Sequence, residues 1–192
     1  GYSGAYLYDI YSLFCNSWVN NESFEDWYAL NYPDQAEFAA IYDDILREFE
    51  ETKVQFNYAD FNDLLIKMRN ELKNGSAICF DEILVDEYQD TNSLQGSLID
   101  AFNTKSLFCV GDFDQSIYAF NGANIEIIGS FKERYIGANI YSLNINYRSS
   151  AKILALANKV IANNPRLYPK SLEVSREGEF KSPVLLVYDE LF

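Results

Sequence analysis

Three short apolar runs, separated by stretches of helical periodicity, constrain this chain more than anything else in it. They are Ile83-Leu84-Val85, Leu107-Phe108-Cys109-Val110 and Ile140-Tyr141-Ser142-Leu143. Bounded runs of this length, rich in β-branched and aromatic residues, read as buried strands. Asn92 to about Phe102 and Ile125 to Arg134 read as helices between them. Ser149 to about Ala162 carries Ile153, Leu154, Leu156, Ala157, Val160 and Ile161, an amphipathic helix that Asn163-Asn164-Pro165 stops. Pro183 to Tyr188 reads as one more strand. Strands alternating with helices predict a parallel, covered sheet, so the fold class is α/β.

Ahead of these runs the chain reads as all-helical. From about Gln35 to Glu51, Phe38, Ile41, Ile45, Leu46 and Phe49 recur at helical spacing, after a turn signal at Tyr32-Pro33-Asp34. From about Asp60 to Lys73, the residues Phe61, Leu64, Leu65, Met68 and Leu72 form one stripe, closed by Asn74-Gly75. Residues 1–30 are rich in Tyr, Phe and Trp and follow no single period.

Charge separates the same two halves. The net charge is −14, which by itself argues against a nucleic-acid partner. Residues 1–102 hold 5 Lys/Arg against 20 Asp/Glu, a balance of −15, and residues 103–192 hold 10 against 9, a balance of +1. The acidity is therefore a solvated face of the first half, and local contacts to DNA stay open in the second. No apolar run approaches the ~20 residues of a membrane helix, and no signal peptide is visible. The three cysteines, Cys15, Cys79 and Cys109, are far apart and there is no His, which argues against a zinc site and a disulfide framework. Cys79 and Cys109 lie in apolar runs and are expected as buried free thiols in a reducing cytoplasm.

Three strings carry chemistry. In the first, Ile83-Leu84-Val85-Asp86-Glu87-Tyr88-Gln89-Asp90-Thr91-Asn92, an apolar strand delivers two adjacent carboxylates at its C-terminal end, where open α/β sheets bind ligands. Neighbouring side chains on a strand point opposite ways, so one acid can hold Mg²⁺ and the other can orient and deprotonate a water. The plain alternative is a pair of acids opening a helix. In the second, Val110-Gly111-Asp112-Phe113-Asp114-Gln115-Ser116-Ile117-Tyr118-Ala119-Phe120-Asn121-Gly122-Ala123, a strand ends in a Gly turn and presents a neutral amide, Gln115. Such an amide can sense a γ-phosphate without adding charge. Tyr118 and Phe120 follow two apart, either as core or as faces for stacking bases. The third string is Leu143-Asn144-Ile145-Asn146-Tyr147-Arg148-Ser149.

Together, in this order and spacing, the three strings resemble motifs II, III and IV of UvrD/Rep/PcrA-type superfamily 1 DNA helicases. Tyr58-Ala59-Asp60-Phe61-Asn62-Asp63-Leu64-Leu65 is similar to a segment that precedes motif II in that family, so the resemblance covers roughly residues 35–170. It implies a partial RecA-like P-loop NTPase domain preceded by a helical 1B-like segment. Residues 1–75 would be the 1B-like part, 76–143 part of domain 1A, and 144–192 the start of domain 2A, with ATP between the two RecA-like lobes. It further implies that Asp86 holds Mg²⁺, Glu87 polarises water, and Gln115 and Arg148 sense and stabilise the γ-phosphate. Tyr147 would lie on adenine, and Tyr118, Phe120 and Asn121 would contact DNA. The implied partners are ATP and single-stranded and duplex DNA, with no membrane. The implied function is translocation on single strands and duplex unwinding, 3′ to 5′, in repair or replication.

Two departures bear on this. The family has Arg where Asn121 stands and commonly Trp where Phe120 stands, which weakens the DNA contact and its coupling to ATP. More important, the sequence contains no G-x-x-x-x-G-K-[ST], the loop whose backbone N–H groups and Lys cradle phosphates. The expectation is a truncated helicase that hydrolyses ATP negligibly by itself, with open sheet edges that invite self-association. The rival is a non-catalytic helicase-like module that binds DNA or protein. Retention of Glu87, Gln115 and Arg148 favours truncation over decay.

Overall fold

A computed structural model describes residues 3–17, 23–75, 77–164, 172–175 and 182–184. The chain forms two compact units, residues 1–130 and 131–192.

The first unit opens with four helices. α1 (Gly4–Ser17) and α2 (Phe24–Asn31) come from the aromatic-rich segment, and a 3₁₀ turn (Pro33–Phe38) leads into α3 (Ala39–Phe56). Asn57, in the left-handed conformation at φ 53°, ends α3, and its N–H meets the carbonyls of Lys53 and Val54. α4 (Phe61–Lys73) starts with a capping box: Asp60 accepts from the Asp63 N–H, and the Asp63 side chain accepts from the Asp60 N–H.

The aromatic residues that follow no period build the core. Leu7, Ile10, Phe24, Tyr28, Ala39 and Leu46 are buried together, with Tyr11, Phe14, Trp27 and Tyr42 packed against them. Tyr28 has no exposed surface; it stacks on Tyr32 at 4.9 Å and meets Tyr42 edge-on at 5.3 Å. Its hydroxyl donates to Gln35 Oε1 at 3.0 Å, which satisfies the polar end of a buried ring.

The α/β part follows. β1 (Glu82–Val85) and β2 (Ser106–Cys109) pair in parallel, in the register Ile83 to Leu107 and Val85 to Cys109, and α5 (Ser93–Ala101) connects them. This is a βαβ unit, whose helix packs along α4 and against α1. The expectation of strands covered on both faces needs correction: Leu84 and Phe108, which are register partners, are 69% and 53% exposed. Among the described residues this sheet has two strands, and its second face has no cover. The expected burial of Cys79 and Cys109 is corrected too, since Cys79 is exposed and Cys109 half-buried, while Cys15 is buried. Cys79 precedes the sheet in an irregular stretch, and Cys109 takes its half-exposure from the thin sheet. The helix expected over 125–134 is broken at Ser130 into α6 (Ile125–Gly129) and α7 (Phe131–Arg134).

In the second unit, β3 (Ile145–Asn146) pairs in parallel with β4 (Glu173–Val174), and α8 (Ala151–Ile161) lies between them in sequence. The strand expected at 140–143 is irregular, with Tyr141 and Leu143 82% and 87% exposed. The ladder forms two residues later, where Asn144 and Asn146 carbonyls accept from Glu173 and Ser175. Of the strand expected over 183–188, residues 183 and 184 are irregular and 185–188 lie outside the described residues.

Candidate functional site

The C-terminal ends of β1 and β2 are tied into one structure. Val110 N–H donates to the Val85 carbonyl and Tyr88 N–H to the Val110 carbonyl, both at 2.8 Å, so the ladder continues past the strands. Between these bonds the chain turns at Glu87, a non-glycine residue in the left-handed region at φ 49° and ψ 41°. Such a conformation is strained for a residue with a Cβ, and it persists where surrounding contacts hold it. Asp86 and Glu87 are exposed, whereas Tyr88 and Gln89, in the 3₁₀ turn that follows (Tyr88–Asp90), are buried. Asn92 then caps α5 by a reciprocal box with Gln95.

On the β2 side, Gly111 passes so close to Gln89 that an added Cβ would lie 2.9 Å from its Oε1. A side chain at this position would force Gln89 to shift. Asp112 N–H donates to Gln89 Oε1 at 2.9 Å. The Asp112 carboxylate accepts from the Asp114 N–H at 3.1 Å and from Gln115 Nε2 at 2.7 Å. Gln115, at the end of a 3₁₀ turn (Phe113–Gln115), thus projects from the same sheet edge as Asp86 and Glu87. Further on, Tyr118 and Phe120 are 44% and 69% exposed, with ring centroids 5.8 Å apart. Their exposure favours contact surface over core. Asn121 ends the next 3₁₀ turn (Ala119–Asn121), and Gly122 at φ 85° sits against Asn16 of α1. An Asn92–Ala123 bridge and a bond from Asn124 N–H to the Thr91 carbonyl close the loop onto the first string.

Tyr147 and Arg148 belong to the second unit. The Asn146 side chain accepts from the Arg148 and Ser149 N–H groups at 3.0 and 2.8 Å, a turn that leaves Tyr147 and Arg148 exposed just ahead of α8. Sequence reasoning assigned no role to Gln89 or Asp112, although both stand inside the quoted strings. Their contacts are set by tertiary approach, which spacing does not reveal.

The donor set suits a magnesium ion held mainly by nucleotide phosphates and water. One oxygen of Asp86, Oδ1, accepts from the Glu87 N–H at 2.9 Å, which leaves its carboxylate a second oxygen for a cation. Among the described residues no group of three or more His, Cys, Asp or Glu forms an all-protein cage.

Adjacent acids at the end of a parallel strand, with a glycine turn and an amide beside them, stand at the edge where open α/β sheets bind ligands. Residues 9–136 match the family described as UvrD/REP helicase N-terminal domain, and the chain belongs to that family. It is 44% identical over 135 residues, 66% of its length, to a "Probable DNA helicase II homolog" of Mycoplasma capricolum. It is 37% identical over 155 residues, 76% of its length, to a protein of the same name from Rickettsia conorii. To the ATP-dependent DNA helicase PcrA of Staphylococcus aureus it is 44% identical over 121 residues, 59% of its length. The chain spans 18%, 24% and 17% of these three relatives.

Proposed function

We propose that this chain is part of an ATP-dependent DNA helicase that translocates on single-stranded DNA and unwinds duplex, 3′ to 5′, in repair or replication in the cytoplasm. The observation that carries the reading is the sheet edge itself: Asp86, Glu87 and Gln115 stand at the adjoining ends of β1 and β2, and hydrogen bonds through Gln89 and Asp112 join Glu87 to Gln115. Residues 76–143 are read as part of a RecA-like domain 1A, 1–75 as a 1B-like segment and 144–192 as the start of domain 2A.

In this reading ATP is the substrate that carries the transferable phosphoryl group. Asp86 would hold a Mg²⁺ ion, which when bound would supply positive charge against the phosphates. Glu87 takes the proton of the attacking water, for which a carboxylate exposed at a turn is suitably placed. Gln115 contacts the γ-phosphate through a neutral amide, and Arg148 stabilises it by a charge-assisted bond. Tyr147 stacks on adenine. Tyr118, Phe120 and Asn121 contact DNA. No G-x-x-x-x-G-K-[ST] occurs in the sequence, so the phosphate loop is supplied by chain outside it.

Turnover tests the reading in two preparations. This chain alone is expected to hydrolyse ATP negligibly, and turnover stimulated by single-stranded DNA and abolished by Glu87→Gln would overturn the need for an external loop. In the full-length protein carrying the segment, Glu87→Gln is expected to abolish stimulated hydrolysis. Turnover at the unsubstituted rate would remove Glu87 from the mechanism.

A further inference from the structure

Between the two strand ends lies a side chain that the reading above leaves without a role. Gln89 is 2% exposed. Its Nε2 donates to Glu87 Oε2 at 2.8 Å and, at 3.3 Å, to Asp90 Oδ2. Its Oε1 accepts from the Asp112 N–H at 2.9 Å, and its main-chain carbonyl accepts from the Ser116 hydroxyl at 3.3 Å.

The orientation of this amide is dictated by its partners. A backbone N–H only donates and an ionised carboxylate only accepts, so a flipped amide would set donor against donor and acceptor against acceptor. Neither an acid nor an apolar side chain can serve both ends. Gln89→Glu would set a third acid against Glu87 and Asp90, and Gln89→Leu would leave the Asp112 N–H and the Glu87 carboxylate without this partner. From Asp112 the chain of bonds continues to Gln115 Nε2 at 2.7 Å. A continuous path therefore runs Glu87, Gln89, Asp112, Gln115, from one strand end to the next. Gly111 leaves room for it, since any Cβ there would press on Gln89 Oε1 at 2.9 Å. At its other end the path reaches the side chain of Glu87, whose backbone is left-handed at φ 49°.

We infer that Gln89 is a positioning residue that couples the placement of Glu87 to that of Gln115, so that the group acting on water and the group sensing phosphate move as one. The inference rests on the roles proposed for Glu87 and Gln115 and adds the link between them. Loss or gain of a contact at Gln115 is transmitted through Asp112 and Gln89 to the Glu87 carboxylate without change of charge anywhere on the path.

A cycle of substitutions in this chain tests the link without catalysis. Glu87→Ala is expected to shift the NMR signals of the Asp112 backbone amide and the Gln115 side-chain amide. In a Gln89→Leu background the same substitution is expected to leave both unmoved. Gln89→Asn keeps an amide one methylene too short to reach both partners and is expected to behave like Gln89→Leu, which covers the case in which the apolar variant does not fold. Equal shifts in all backgrounds overturn the coupling. In the full-length protein, Gln89→Leu is expected to lower kcat about 10- to 100-fold, the scale of a misplaced catalytic group, with KM for ATP unchanged. Unsubstituted turnover in Glu87→Gln would overturn the reading on which this rests. Loss of turnover in Glu87→Gln beside unchanged kcat in Gln89→Leu overturns the coupling alone.

Discussion

At the scale of single residues, Lys53 shows how far an environment can depart from a sequence pattern. On a helical wheel it is one charge on an acidic helix. In the fold its side chain is 7% exposed, and its Nζ lies 2.6 Å from Glu50, 2.9 Å from Asp63 and 3.1 Å from Asp60. The Phe49 ring sits 5.0 Å from the same ammonium. Burial works against its charge, but the bonds to Glu50, Asp63 and Asp60 outweigh burial and hold its proton more tightly than usual. Removing one partner of a buried ion cluster costs about 3 kcal/mol or more, so Lys53→Met is expected to lower the urea midpoint of the first unit by that equivalent. The same cluster sets a pH window. Burial pushes the Cys15 thiol from 9.0 up to about 12 and also raises Tyr11, whose hydroxyl donates to Glu50. Groups raised by folding contribute stability below their ordinary values and lose it as pH rises. Burial pulls the Asp63 carboxyl upward, but the Asp60 N–H and Lys53 outweigh it and hold Asp63 below 3.8, so its contribution is lost as pH falls through that region. Thermal melts are therefore expected to be flat from about pH 4 to pH 9, with stability declining on both sides. Tyr118 and Phe120 make a second residue-level case, two exposed rings that the sequence left divided between core and contact. Replacing either with Ala is expected to weaken binding of a single-stranded oligonucleotide by about 1–3 kcal/mol, read by fluorescence anisotropy. Unchanged affinity contradicts the stacking role.

Among the elements, those expected as helices from about Asp60 and from Asn92 were legible: they are α4 and α5, which begin one residue later behind caps at Asp60 and Asn92. The two caps differ in what else they hold. Asn92→Ala is expected to cost about 1 kcal/mol, the usual loss of a cap, in chemical denaturation. Asp60→Ala is expected to cost more, because Asp60 also contacts Lys53 at 3.1 Å. Equal losses in the two variants would show that the ion cluster adds nothing. Two features were hidden. The break at Ser130 follows from its hydroxyl bonding the Glu126 carbonyl at 2.6 Å, which satisfies a helix end from within the run. β4 is two residues of polar and apolar sequence that form a strand only because Asn144 and Asn146 offer carbonyls to it.

The whole molecule carries a face that its own described residues do not cover. Leu84 and Phe108 stand side by side on the open side of the sheet. Exposed apolar strands template association, and a net charge of −14 opposes it. Screening weakens the opposition, so the chain is expected to self-associate at high concentration, more strongly as salt rises, and less so after Leu84→Lys. Static light scattering reads the mass, and a monomer throughout contradicts this expectation.

The sequence by itself determined the family, the order of the three strings, the helical first half and the parallel pairing of the runs at 83–85 and 107–110. These depend on local periodicity, caps and residue types whose meaning does not change with context. Tertiary structure alone decided which aromatic residues form the core, that Lys53 is buried among three acids, and that Glu87 turns left-handed at a strand end. It also decided that Gln89 reaches across to Asp112. Each of these is a contact between segments, and its energy comes from desolvation and approach at distances of a few ångströms, which no spacing along the chain encodes.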